Sequence, residues 1–294
     1  MSTVPTELRQ ARAFRSRVAD RAFRALMLAA LALAVVTLVT LIVQVVVKGW
    51  PRLNGDLLSR FPSGRPALAG AQSAIFGTIW VMGVVAATCV PIGLGAAIYL
   101  EEYADETRWF NRLIEINIQN LAAVPSVVYG ILGLAFLVRG PASLGQTVLA
   151  GGLTLSLLVL PVVIIASREA LRSVPKAIRE GSLALGATQW QTTSRQVLPA
   201  AIPGIATGTI LALSRAIGEA APLLLLGALT FITFNPDGLD SAFTVLPIQI
   251  FNWISRPQEE FRVVAAAAIV VLLVILLAMN SLAIWLRNRY RRRW

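Results

Sequence analysis

Arg215 and Glu219 stand four residues apart in an otherwise apolar stretch, 202–232, that is long enough to cross a bilayer. An Arg at the centre of a membrane helix costs about 2.5 kcal/mol or more, so it persists where it faces a protein interior or a water-filled path. Its guanidinium is a fixed cation with a planar fork of donors, a match for phosphate oxygens. One helical turn separates the two residues, so Glu219 can share the face of Arg215. Two readings follow. In one, Arg215 makes a transient contact with an anion, while Glu219 holds the guanidinium and keeps that contact weak enough for the ion to leave. In the other, the pair is structural, for instance across a subunit interface. Arg168 and Glu169 carry the same pair of readings at the end of an earlier apolar run: lining of an inner exit, or a helix-end charge pair. Ser126 and Tyr129, just after Pro125, could offer hydroxyls to an anion or satisfy a broken helix.

Several chemistries are excluded. The chain has no His and a single Cys, Cys89, which rules out imidazole catalysis, an internal disulfide and a site of several thiolates. A phosphate-cradling P-loop needs Gly-Lys-Ser/Thr. The only lysines are Lys48 and Lys176, which follow Val47 and Pro175. Nucleotide hydrolysis, if it drives this chain, belongs to another polypeptide. The net charge of +11 could suggest nucleic acid. The cations instead concentrate in the two tails and alternate loops, which is the geometry of membrane orientation, and no nucleic-acid partner is expected.

These residues must be held by membrane helices. The 294 residues are 56% hydrophobic and only 14% charged, with a mean hydropathy of +0.72. A soluble domain carries about 25% charged residues. Six apolar runs of sufficient length occur, at about 25–47, 73–100, 118–138, 146–166, 202–232 and 263–286. The expected fold is all-α and polytopic, with six transmembrane helices. It divides into a basic tail (1–24), a membrane domain (25–286, core 70–286) and a basic tail (287–294). The first run is too long for the 7–15-residue apolar region of a signal peptide and reads as a retained span. Pro91, Pro125, Pro161 and Pro222 interrupt spans, which membranes tolerate where neighbours or water satisfy the freed backbone groups. Six Arg in the first tail, Arg108 and Arg112, the group from Arg168 to Arg195, and the Arg-rich last tail lie on one side. That side should be cytoplasmic, with both termini. Trp50, Trp109, Trp253 and Trp285 fall near span ends, where interfacial anchors are common. The polar and aromatic loop 234–262 on the other side reads as a docking surface or an interfacial cap.

The longest cytoplasmic connection, 168–199, contains Glu180-Gly181-Ser182-Leu183-Ala184-Leu185-Gly186-Ala187, then Trp190, then Leu198-Pro199. Gly186 suits a sharp turn between two short helices. Leu183, Leu185 and Trp190 could anchor a partner. This pattern resembles the coupling loop of bacterial ABC-importer permeases, which places Glu-Ala-Ala before a Gly and Leu-Pro about a dozen residues later. Here Gly181-Ser182 replaces Ala-Ala, which keeps the side chains small. Three further segments are similar to phosphate-specific transport permeases: 117–130 around Ala123-Val124-Pro125-Ser126, 214–222 around Arg215 and Glu219, and 243–253 around Leu246-Pro247. The third is similar to PstA-like rather than PstC-like subunits.

The resemblance implies a type I (MetI-like) ABC-importer permease fold in the bacterial inner membrane. It implies a PstC-like permease partner, two copies of an ATPase and an extracytoplasmic binding protein that delivers inorganic phosphate. Glu180, Gly181, Gly186, Ala187, Leu198 and Pro199 would contact the ATPase. Arg215, Glu219 and Arg168 would belong to the pathway. ATP and Mg would be bound by the ATPase, and this chain would carry no cofactor. Another oxyanion, such as molybdate or sulfate, and a secondary transporter are the alternatives.

Overall fold

The computed structural model describes residues 6–105, 107–228 and 231–289. Residues 1–5 and the basic tail beyond Arg289, on which part of the orientation argument stands, lie outside them. The described residues are almost wholly helical. The helices that position the site are α1 (Thr6–Gly49), α2 (Gln72–Ile98), α3 (Trp109–Ala123), α4 (Ser126–Leu132), α5 (Val148–Arg172), α6 (Lys176–Ala184), α7 (Gln189–Thr192), α8 (Leu198–Ile217), α9 (Ala221–Leu226), α10 (Leu246–Ile254) and α11 (Glu259–Arg289). Helix α1 begins inside the stretch expected to be a tail and runs on into the first span. Among the described residues five helical stretches are long and apolar enough to cross a membrane, and a bent pair, Trp109–Ala123 with Ser126–Val138, makes six if it counts as one span.

Helix α5 is the axis of the bundle. It runs parallel to α2: Gly152 abuts Val84, Gly93 abuts Val163, and between them the hydroxyls of Thr88 and Ser156 meet at 2.7 Å. It runs antiparallel to α8, where Gly204 meets Ala170 and Gly208 meets Ala166. Small residues at these contacts let backbones approach, which is how helices associate when lipid removes the hydrophobic drive between them. A polar outlier is answered locally: Thr154 donates to the Ala150 carbonyl at 2.8 Å within its own helix.

Two expected spans are broken. The third run is not one straight helix, since α3 and α4 meet at 104°. The cause is Pro125, which lacks an N–H and drives Val124 into an extended conformation. In a continuous helix the Leu121 carbonyl would accept from residue 125. The Tyr129 hydroxyl donates to it instead, at 2.8 Å, so that group serves the broken helix. The fifth run, 202–232, would be about 46 Å long as a single helix, against a hydrocarbon core of about 30 Å. Helix α8 ends at Ile217, and a short helix, α9, follows with Pro222 in its first turn. It closes on Gly227 at φ 95°, where the amides of Gly227 and Ala228 cap the carbonyls of Leu224 and Leu223. The two breaks touch: Gly130 of α4 packs on the backbone of Pro222, with no room for a side chain between them.

At the end opposite the basic loops, the segment before α10 plunges inward. Leu246 and Trp253 are wholly buried with Leu57 and Phe261, and Phe243 is wholly buried against Gly151 of α5. Trp253 is therefore a core residue and not the interfacial anchor its position suggested, because α10 folds back against α2 and α11. Trp50, Trp109 and Trp285 are exposed. Gly77 lies directly against the Thr244 carbonyl. Gly77→Ala should therefore force the segment outward and cost about 2 kcal/mol, as overpacking does. A lowered melting midpoint of the detergent-solubilised protein checks this.

Candidate functional site

The contacts between α8 and α5 set the depth of Arg215. Residue numbers at the facing glycines sum to 374, and Leu155 and Glu219, which also sum to 374, line one small cavity. On that register Arg215 stands level with Val159, eleven residues from Val148 and thirteen from Arg172. At 1.5 Å per residue it lies about 16 Å and about 20 Å from the ends of α5. That is near the middle of α5. The Arg215 Nε to Glu219 Oε1 distance is 3.3 Å. The turn that joins them is not helical throughout: Gly218 ends α8, and Glu219 lies in the break before α9. The guanidinium side chain is 53% exposed and the carboxylate 20%. In this chain alone, a half-exposed cation thus stands level with the middle of α5.

A second charged cluster forms at the basic end. Arg168, nearly fully buried on α5, bonds through Nη1 to Glu115 of α3 at 2.9 Å, and its Nε lies 3.5 Å from Glu101. Its partners are these two carboxylates. Glu169 instead approaches Arg172 at 3.7 Å. Arg172 also forks onto Glu101 at 3.0 and 3.1 Å. Arg112, Asn111 and Leu100 join Glu115, Arg168 and Arg172 around a cavity of about 430 Å³. Beyond α2, Asp105 opens the turn to α3. The Thr107 hydroxyl and amide both donate to its carboxylate and hold it below the usual carboxylate range.

The loop between α5 and α8 folds as two short helices. The turn at Gly186, φ 83°, is closed by the Gly186 amide on the Leu183 carbonyl and the Ala187 amide on the Ser182 carbonyl. Thr188 and Gln191 form a capping box that starts α7. The Ser182 and Thr192 hydroxyls meet at 2.9 Å and hold α6 to α7. Glu180, Gly181, Leu183, Leu185 and Trp190 are exposed, Leu185 by 90%, and a hollow of about 510 Å³ opens beside Gly181 and Leu185. Ala187 lines that hollow, while Leu198 and Pro199 begin α8 away from it. A Cβ on Gly186 would meet nothing, so only backbone strain opposes a side chain there. Gly186→Ala should cost about 1 kcal/mol, confined to this turn. Faster proteolytic cutting between α6 and α7, with an unchanged melting midpoint for the bundle, is the expected result.

Arg179 ties this loop to the bundle. Its Nη2 lies 2.7 Å from Glu102 and donates to the Leu171 carbonyl at 2.9 Å, and its Nη1 donates to the Val174 carbonyl at 2.7 Å. The Gln189 amide reaches the Glu102 carbonyl. Arg179, Glu101, Glu102 and Glu115 were not singled out from sequence. The signal was available, since Glu101-Glu102 closes an apolar run on the same side as the cations of 168–195.

Residues 89–292 match the family model described as "Binding-protein-dependent transport system inner membrane component". A Mycobacterium tuberculosis protein named "Phosphate transport system permease protein PstA 1" is 35% identical over 237 residues, which cover 76% of this chain and 74% of that protein. Among solved structures, a bacterial alginate ABC transporter in complex with its alginate-loaded periplasmic protein superposes over 95% of this chain and 98% of the matched chain, with TM-score 0.69 and 16% identity. The MetNI methionine ABC transporter superposes over 74% and 95%, with TM-score 0.62 and 17% identity. The family match, the identity to the phosphate permease and the superposition on solved importers agree: this chain belongs to the binding-protein-dependent inner membrane components and is a permease subunit of the MetI-like ABC-importer fold.

Proposed function

We propose that this chain forms one half of the pathway of an ATP-driven importer of inorganic phosphate. The observation that carries the reading is Arg215, half exposed at mid-depth beside Glu219. A cation facing acyl chains there would be costly, so that face is covered by a second permease subunit and the water-filled path between the two. A guanidinium fork can take two oxygens of a tetrahedral anion. Glu219, 3.3 Å away, competes for the same donors and keeps the contact loose enough for release. The relative named as a phosphate permease supports phosphate as the anion.

The partners are a PstC-like permease subunit, two copies of an ATPase and an external phosphate-binding protein. Both termini are cytoplasmic. The ATPase docks on the exposed loop from Glu180 to Trp190, with Gly186 as its turn, and binds the ATP and Mg, so this chain holds no cofactor. Arg168, with Arg112 and Arg172 around the same cavity, lies at the inner end of the path.

Reconstitution of the chain with its partner permease, ATPase and binding protein tests this. ATP-dependent flux of labelled phosphate is expected, with little competition from sulfate or molybdate. Flux that molybdate or sulfate suppresses more strongly than phosphate does would reassign the substrate. Flux without the ATPase would make the chain a secondary transporter.

A further inference from the structure

A groove of about 980 Å³ opens between α2, α8 and α11 at the basic end of the bundle. This is the upper end of the range of about 300–1,000 Å³ found for ligand sites. Its walls are apolar: Leu94 from α2, Ile202, Ile205 and Leu213 from α8, and Ala283 from α11. Its mouth carries Arg195 and Arg287. Neither pairs with a carboxylate among the described residues. Among the described residues Arg287 donates to neutral oxygens, Thr207 Oγ1 at 2.8 Å and Asn288 Oδ1 at 3.3 Å.

Depth narrows the occupant. On the α8–α5 register, Leu213 stands level with Pro161, eleven residues from Arg172. The apolar wall therefore reaches about 16 Å inward from the end of α5, the thickness of one leaflet of a hydrocarbon core of about 30 Å. Two cations at a headgroup level above a one-leaflet apolar slot match an amphiphile with an anionic head. Basic pockets between membrane helices on the cytoplasmic side bind anionic lipid headgroups. A free anion would leave the apolar wall uncovered, and a neighbouring helix would have to bring its own carboxylates to answer Arg195 and Arg287.

We propose that this groove holds one anionic phospholipid of the cytoplasmic leaflet, with its phosphate between Arg195 and Arg287 and an acyl chain along α8. The assignment uses the orientation proposed above but not the identity of the transported ion. The lipid is separate from the pathway: Arg215 lies above the groove, and neither it nor Glu219 lines it.

The assembled complex, purified with its ATPase and partner permease and exposed to mixed micelles of phosphatidylglycerol and phosphatidylcholine, is examined by native mass spectrometry. The wild type is expected to retain phosphatidylglycerol in preference to phosphatidylcholine. Arg195→Gln with Arg287→Gln should lower that preference about tenfold. Ala206→Trp, which fills the groove and leaves both cations in place, should release the lipid as well. Gel filtration identifies any variant that fails to assemble, and the remaining one still decides. Equal retention in the assembled variants overturns the proposal. So does displacement of the lipid by millimolar inorganic phosphate, which would mark a free-anion site. Efficient cross-linking of Ala206→Cys to the partner permease would overturn it too, because a protein helix would then fill the groove. Each readout is independent of phosphate flux, so the lipid site and the transport function stand or fall separately.

Discussion

Arg215→Gln should cut ATP-driven phosphate uptake at least tenfold while the complex still assembles. Gln keeps most of the volume and some donors but loses the charge and the fork. Loss of one charge-assisted hydrogen bond is worth about 1.5–3 kcal/mol, and 1.4 kcal/mol is already a factor of ten. The stability cost should be small, because the side chain is half exposed and its ion pair with Glu219 spans a single turn. Arg215→Lys restores the charge without the fork and should recover part of the flux. Glu219→Gln should move in the other sense: with its competitor neutralised, Arg215 holds the anion longer, so the KM and the maximal rate both fall. Flux assays on the reconstituted complex, with assembly checked by co-purification, measure all three. Normal uptake by an assembled Arg215→Gln complex would remove Arg215 from the pathway.

The second large effect is expected at Arg179. Its Glu102 partner is 7% exposed and Arg179 itself 21%. Arg179→Ala leaves a largely buried carboxylate unpaired and uncovers the carbonyls of Leu171 and Val174. Breaking such a pair costs about 3 kcal/mol, at the low end of its range because water reaches part of the guanidinium. The loss falls where the loop is joined to the turn after α2 and to α5, so ATP hydrolysis should continue while phosphate flux falls. Lys in place of Arg reaches one of the three acceptors and should rescue little. Arg179→Met with Glu102→Leu should be more stable than Arg179→Ala alone, since no charge is then left buried. Melting midpoints and the ratio of ATP hydrolysed to phosphate moved check these outcomes. An Arg179→Ala complex with unaltered melting and coupling would show that the ion pair is not the joint.

The membrane class and the turn at Gly186 were legible because they depend on local sequence: long apolar runs, and a Glu-x₅-Gly pattern between two short amphipathic segments. Arg215 and Glu219 stood out as the two charges of an apolar run. The breaks were only half legible. Pro125 and Pro222 marked where helices could fail, but hydropathy does not register direction, so a turn of 104° and a single straight span look alike. Trp253 misled for the same reason: interfacial and buried tryptophans both follow an apolar run, and the difference is whether α10 folds inward. The partners of Arg168 were hidden by distance along the chain. Glu101 and Glu115 come from two other elements, and only the packing of α2 and α3 on α5 brings them within reach.

The contact between Gly130 and Pro222 joins the two interrupted elements of the bundle. Both are already uncoupled from long helical ladders, so a shift there breaks few backbone bonds, whereas bending α5 or α2 would break many. With no side chain between them, α4 and α9 meet backbone to backbone. The fold therefore brings both interruptions of its helical ladders to one place, three residues from Glu219.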